Sequence, residues 1–181
     1  MNSRILASLA LGATAALALT GCAGITHQAT TIPYSPSDGV NVEAPESGAA
    51  PIIVRNAVII ADAHGTDGNL AAAVVNTSDE DAELSLEWGD GQTATLDLEA
   101  GEALSLGAGS QDPILLEGIN SEAGSTLPVY FQSGDVEGVL AEVPVLNGCL
   151  AHFKDLVPGG YDEADCEHLA PVEGDEEEGG H

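Results

Sequence analysis

Positive charge is the scarcest property of this 181-residue chain, which holds 3 Lys and Arg residues against 30 Asp and Glu residues. The formal net charge is −27 at pH 7. Such a surface repels phosphate backbones and the headgroups of anionic lipids. We therefore expect no nucleic-acid partner. The same surface favours solubility and can collect cations weakly.

Aromatic residues, methionine and cysteine are also scarce. The chain has one Trp, two Phe, three Tyr, one Met and three Cys residues. Its core must therefore be built from Val, Leu, Ile and Ala. The single methionine is Met1, so the rest of the chain offers no thioether, the ligand that selects Cu(I).

An apolar run without charge covers residues 5–19 and follows the positive charge of Arg4. Its length suits the core of a signal peptide and is short for a membrane-spanning helix, which needs about 20 apolar residues. The run ends at Leu19, and Thr20, Gly21 and Cys22 follow it.

These last four residues resemble the motif of bacterial lipoproteins, which is Leu, a small residue, Gly or Ala, and Cys. The resemblance implies that residues 1–21 are a signal peptide and that Cys22 is lipidated, for example with palmitate. It also implies that the chain lies outside the cell, attached to the membrane by its lipid. The alternative is an ordinary secretory signal in which the cysteine occurs by chance.

Composition divides the remaining chain into three parts. Residues 22–50 are rich in Thr, Ser, Pro, Gly and Ala and predict a flexible spacer, which ends in a possible short edge strand at 39–42. Residues 51–157 carry the apolar patterns of a folded domain. Residues 158–181 are polar and end in an acidic, low-complexity tail that we expect to be disordered.

Within the domain, the apolar residues indicate short strands. Leu84, Leu86 and Trp88 alternate with polar residues, and the alternation resumes at Ala94 after a Gly-Asp-Gly loop, which predicts a hairpin. Further strands are expected at 52–61, 69–77, 103–106, 113–116, 127–132 and 136–146. In the last, Pro144 argues for an edge strand or for the end of the strand. Residues 151–156 fit one helical turn.

Seven to nine short strands without a clear helix predict an all-β domain. The fold class that fits best is an immunoglobulin-like antiparallel β-sandwich. A cupredoxin-like sandwich and a closed barrel are the alternatives.

Two cysteines remain after Cys22. In an oxidising envelope, Cys149 and Cys166 most simply form a disulfide, which would hold the segment after the sandwich against the last strand. The alternative is a metal site that these two cysteines form with His152 and His168.

No catalytic constellation is visible in the sequence, and we expect neither an enzyme nor a cofactor. The weak candidates for a divalent metal site are Asp62, His64 and Asp67, which share one loop. Loops rich in Gly, Asp and His also occur for turn formation alone.

Three stretches, at Tyr34–Asn41, Ile53–Ala57 and Val143–Leu146, together resemble a group of small actinobacterial cell-envelope lipoproteins of poorly defined function. The resemblance extends to Pro158 and implies a lipid-attached sandwich domain. Some members of this group are related to the periplasmic copper-chaperone domain, which is cupredoxin-like and holds Cu(I) on His and Met residues. The present chain has no methionine after Met1, so no metal ligand is carried over, and its cysteine pair is an addition to the group's pattern.

These observations favour a non-enzymatic module of the cell envelope that acts by binding or by structural support. The expected partners are the membrane, through the lipid anchor, and another envelope protein or a cell-wall component. We expect a monomer. The alternative function is a metal chaperone, for copper, or a cation scavenger.

Overall fold

The structure is a computed structural model that describes residues 37–43, 45, 48, 50–109 and 111–169. The predicted signal peptide, the predicted lipidation site Cys22, most of the spacer and the acidic tail lie outside the described residues. The side chain of His168, the second histidine of the alternative metal site, also lies outside the described part of the structure.

Eight strands form the described part of the chain, and no α-helix occurs in it. The strands are β1 (Ile52–Ala61), β2 (Gly68–Asn76), β3 (Ala82–Trp88), β4 (Gln92–Leu98), β5 (Ala103–Leu106), β6 (Ile114–Leu116), β7 (Thr126–Ser133) and β8 (Val139–Leu146). The all-β prediction is confirmed.

The strands form one curled sheet in the order β4-β3-β7-β8-β1-β2-β5, and β6 also pairs with β2. Along each strand, apolar residues alternate toward the concave side of the sheet, where they enclose the main core. The predicted hairpin is confirmed, with Trp88 of β3 opposite Gln92 of β4. Leu84, Leu86 and Trp88 are buried in the core together with Val129 of β7 and Val143 of β8.

One pair of strands departs from the predicted antiparallel pattern. β1 and β8 run parallel and pair at Ile59 with Val145 and at Ile60 with Leu146. The edge position suggested by Pro144 is therefore wrong, since β8 lies between β7 and β1. The other expectation, the end of a strand, agrees with the structure, because Pro144 lies two residues before the end of β8.

The end of the predicted spacer is attached to the first strand. The amide of Val40 donates to the carbonyl of Ala57, whose own amide donates back to Val40, at 2.9 and 2.8 Å. The amide of Val42 donates to the carbonyl of Val54. The strand expected at 39–42 is thus present as a short bridge, on the edge of β1 that β2 leaves free.

A second, smaller core lies on the other face of β1. Val58 and Ile60 point away from the main core because β1 carries an irregularity between Arg55 and Val58. Phe153 and Leu156, which follow the last strand, cover them. The predicted helical turn is present as a 3₁₀ helix at Lys154–Leu156, and a second 3₁₀ helix follows at Glu163–Leu169.

Candidate functional site

The loop between β1 and β2 holds the three weak metal candidates. One side-chain oxygen of Asp62 accepts from the amides of His64 and Thr66, at 2.9 and 3.0 Å. Its second oxygen accepts from the amide of Asp67 at 3.1 Å. Asp67 in turn accepts from the amide of Gly118, at 2.8 Å, which ties this loop to the segment after β6.

The electrostatics of Asp62 follow from these contacts. Partial burial acts to raise the pKa of its carboxyl group. Backbone hydrogen bonds from Thr66, Asp67, His64 and Gly65 act in the opposite direction and prevail, so the pKa of Asp62 lies below its usual value of 3.8. The folded loop therefore holds this group as a carboxylate.

These contacts identify what the carboxylates do in the fold. Asp62 satisfies the backbone of its own tight loop, and Asp67 fastens that loop to a neighbour, as Asp residues commonly do in turns. A cation at this loop would compete with those hydrogen bonds. Within the described residues, no three His, Cys, Asp or Glu side chains are placed to hold a metal ion together.

The cysteine pair is a disulfide. Cys149 and Cys166 are joined, with Cα atoms 5.6 Å apart, so both sulfur atoms are used. His152 is exposed beside Asp38, at 3.4 Å, and packs on the ring of Phe153. The predicted disulfide is confirmed, and it joins the second 3₁₀ helix to the segment that follows β8.

A cleft of about 350 Å³ lies at the start of β1. It forms because β1 and β8 pair only near their last residues and separate toward Ile52 and Val139, where they begin. The hydroxyl of Ser133 accepts from the amide of Ile52 at 2.8 Å and fixes one end of the cleft. The bond from Val42 to Val54 fixes one wall.

The cleft combines an apolar floor with a charged rim. Its floor is formed by side chains of the main core and of the strand starts: Ile52, Val54, Leu84, Phe131 and Val139. Arg55, Glu43 and Glu137 also line it, and all three are exposed. Arg55 makes no ion pair with a described residue. An apolar hollow with a few charged groups at its rim is typical of small-molecule sites.

Sequence reasoning missed this cleft. In the sequence, Arg55 is one of only 3 Lys and Arg residues, and Glu43 lies within residues 22–50, which predict a flexible spacer. The cleft brings together parts of the chain that are more than 90 residues apart, from Glu43 to Val139. The one local signal was an arginine at the start of a strand in a chain with so few cations.

No protein family matches the sequence, and no curated protein matches it. The fold is similar to a solved structure described as the apo PmoF2 PCuAC domain, with a TM-score of 0.45 and 13% identity over 59% of this chain and 94% of that chain. A likeness at this level carries no conclusion on metal or ligand. None of the helices in the described ranges is both long and apolar enough to cross a membrane.

Proposed function

We propose that this chain is a lipid-anchored, extracytoplasmic module of the cell envelope that acts by binding, and that the cleft at the start of β1 is its binding site. The observation that carries the proposal is Arg55, an arginine without an ion pair among the described residues, beside an apolar hollow of about 350 Å³. An exposed guanidinium next to apolar surface offers both affinity and orientation to a ligand.

The anchor part of the proposal is supported by the sequence. The apolar run at 5–19 ends in Leu19-Thr20-Gly21-Cys22, which fits a lipoprotein signal at each of its four positions. The spacer after Cys22 gives the domain reach from the membrane surface. The binding cleft lies beside the segment that continues from this spacer, because Val42 and Glu43 line it.

The metal-chaperone alternative is supported by the sequence resemblance alone. In the described residues, the Asp62 and Asp67 carboxylates are engaged by backbone amides. Titration of the purified chain with Cu(I), Cu(II), Zn(II) and Ca(II) separates the two functions. Binding tighter than micromolar would favour the metal role, since looser association is expected of any polyanion.

Photo-crosslinking in intact cells tests the binding role. A photo-crosslinking amino acid replaces Val139, which lines the cleft, or Thr95, which is exposed on the outer side of the edge strand β4. We expect one discrete adduct at position 139 and none at 95, and we expect Arg55→Gln to abolish it.

Two results would contradict the proposal. Equal adducts at positions 139 and 95 would mean random collision, and no adduct at 139 would mean an empty cleft. Turnover of an ester or cell-wall substrate by the purified chain, lost on substitution of one residue, would replace the binding role by an enzymatic one.

A further inference from the structure

The charges around the cleft define the kind of ligand that it fits. Resting on the binding role proposed above, we propose that the cleft binds a short peptide with free end groups and an apolar side chain. In this arrangement Arg55 pairs with the carboxylate of the peptide, Glu43 or Glu137 pairs with its ammonium group, and the apolar floor holds its side chain.

Arg55, the positive side chain of the cleft, is suited to bind a carboxylate. A guanidinium presents a planar fork of donors that matches a carboxylate in a bidentate arrangement. The only other positive side chain in the described residues, Lys154, lies with its Nζ 4.5 Å from the centre of the Tyr161 ring and is used in that contact. Arg55 has no described partner although the chain holds 30 acidic residues.

The negative side of the cleft disfavours a simple anion. Glu43 and Glu137 line the same hollow, and the chain as a whole carries a net charge of −27. A ligand with only a carboxylate would meet repulsion from both side chains. If the ligand also carries an ammonium group, Glu43 and Glu137 attract that group, and the repulsion is replaced by an attraction. A zwitterion therefore complements the rim better than an anion or a cation.

The shape of the cleft favours a peptide over a bulkier zwitterion. The hollow lies where β1 and β8 separate, so it is a gap between two strands of one sheet. The floor is made of aliphatic side chains and one phenylalanine, which suit an aliphatic ligand. An extended peptide is the ligand that can lie along the edge of β8, which pairs with β1 only at Val145 and Leu146, and place its side chain into such a floor.

A titration followed by NMR tests this proposal on the full chain with Cys22→Ser, which prevents lipid attachment. The probes are the dipeptide Leu-Leu, its N-acetyl form and its C-terminal amide. The chain has two arginines, Arg4 and Arg55, so the side-chain Nε–H signal of Arg55 is readily assigned. We expect Leu-Leu to shift this signal and the amides of Ile53 and Val139 in a saturable way.

The capped peptides and two pairs of variants identify the contacts. We expect the amide and the N-acetyl form each to bind about tenfold more weakly, because each loses one charged hydrogen bond. Arg55→Gln should weaken Leu-Leu by a similar factor, whereas Lys154→Ala, an equal change of charge outside the cleft, should not. In the double variant Glu43→Gln with Glu137→Gln, the affinities for the N-acetyl form and for Leu-Leu should become equal. Glu87→Gln should leave the difference between these affinities unchanged.

The outcomes separate this inference from the binding role itself. If Leu-Leu, its N-acetyl form and its amide bind equally or not at all, the peptide class is wrong. In that case the adduct at Val139 in cells still decides whether the cleft binds another ligand. If the N-acetyl form binds as tightly as Leu-Leu while the amide does not, the ligand is a simple anion, and the proposed role of Glu43 and Glu137 is overturned.

Discussion

At the scale of single residues, Trp88 links the hairpin to the loop after β6. Its side chain is 5% exposed within the main core, and its indole N–H donates to the carbonyl of Glu117 at 3.0 Å. The residue thus combines a large buried area with a satisfied polar group, as buried tryptophans usually do.

We predict that Trp88→Ala lowers the free energy of unfolding by about 3–5 kcal/mol, because it leaves a cavity in a core with few other aromatics. Urea denaturation followed by circular dichroism measures the change. Trp88→Phe is the matched control, which keeps most of the packing and should cost less. A change below about 0.5 kcal/mol for Trp88→Ala would contradict the burial of this side chain.

Asp62 gives the fold a pH dependence whose sign is defined. Its pKa is lowered in the folded chain, so its contribution to stability is present above the pKa of the unfolded chain and is lost as the pH falls through the folded pKa. We predict that Asp62→Asn costs about 1 kcal/mol at neutral pH, as loss of a capping carboxylate does.

The difference in the free energy of unfolding between Asp62→Asn and the parent chain should shrink as the pH falls below 3.8. Thermal unfolding at several pH values measures it. Asp90→Asn is the control, since Asp90 is an exposed carboxylate in the loop between β3 and β4. A difference that grows toward acid pH would show that Asp62 is not held as a carboxylate.

At the scale of elements, the disulfide acts on the segment that follows β8. Cys149 and Cys166 are separated by 17 positions and enclose the 3₁₀ helix whose Leu156 covers the second core. We predict that Cys149→Ser together with Cys166→Ser costs about 3 kcal/mol in the chain-entropy account of such loops. Chemical denaturation measures the loss.

Hydrogen exchange locates this effect. In the doubly substituted chain, amides between Asn147 and Glu167 should exchange faster, while those of the β3–β4 hairpin should keep their protection relative to global unfolding. A uniform loss of protection, or unchanged exchange around Phe153, would contradict a local role of the bond.

The strands show how far local pattern determines the fold. The alternation of Leu84, Leu86 and Trp88 and the Gly-Asp-Gly loop were sufficient to predict β3, β4 and their hairpin, because these contacts are close in sequence. The parallel pairing of Ile59 with Val145 was not predictable in this way, since it joins residues 86 positions apart. The cleft was not predictable for the same reason, because it forms where β1 and β8 separate.

Of the residues that the sequence singled out, the cysteines could be assigned a role from the sequence, whereas the aspartates of the β1–β2 loop could not. The sequence predicted the disulfide from two isolated cysteines, because an oxidising compartment leaves them few other fates. It could not decide between turn formation and metal binding for Asp62 and Asp67, since both uses need the same residue types. In the structure Asp62 accepts hydrogen bonds from the amides of His64 and Thr66, and Asp67 accepts one from the amide of Gly118, which is how Asp acts in turn formation.

At the scale of the whole molecule, the net charge of −27 and the proposed anchor belong together. A strongly acidic domain is repelled by anionic lipid headgroups, so it would not stay at a membrane by surface attraction. Acyl chains contribute about 0.8 kcal/mol per buried methylene and can hold such a domain in place against that repulsion.

Metabolic labelling with palmitate tests the location most directly. Cells that express the full chain are grown with labelled palmitate, and the protein is recovered from the membrane and the medium. The account predicts label on the membrane-bound protein, and it predicts an unlabelled protein with Cys22→Ala. An unlabelled parent chain, or a parent chain released freely into the medium, would contradict it.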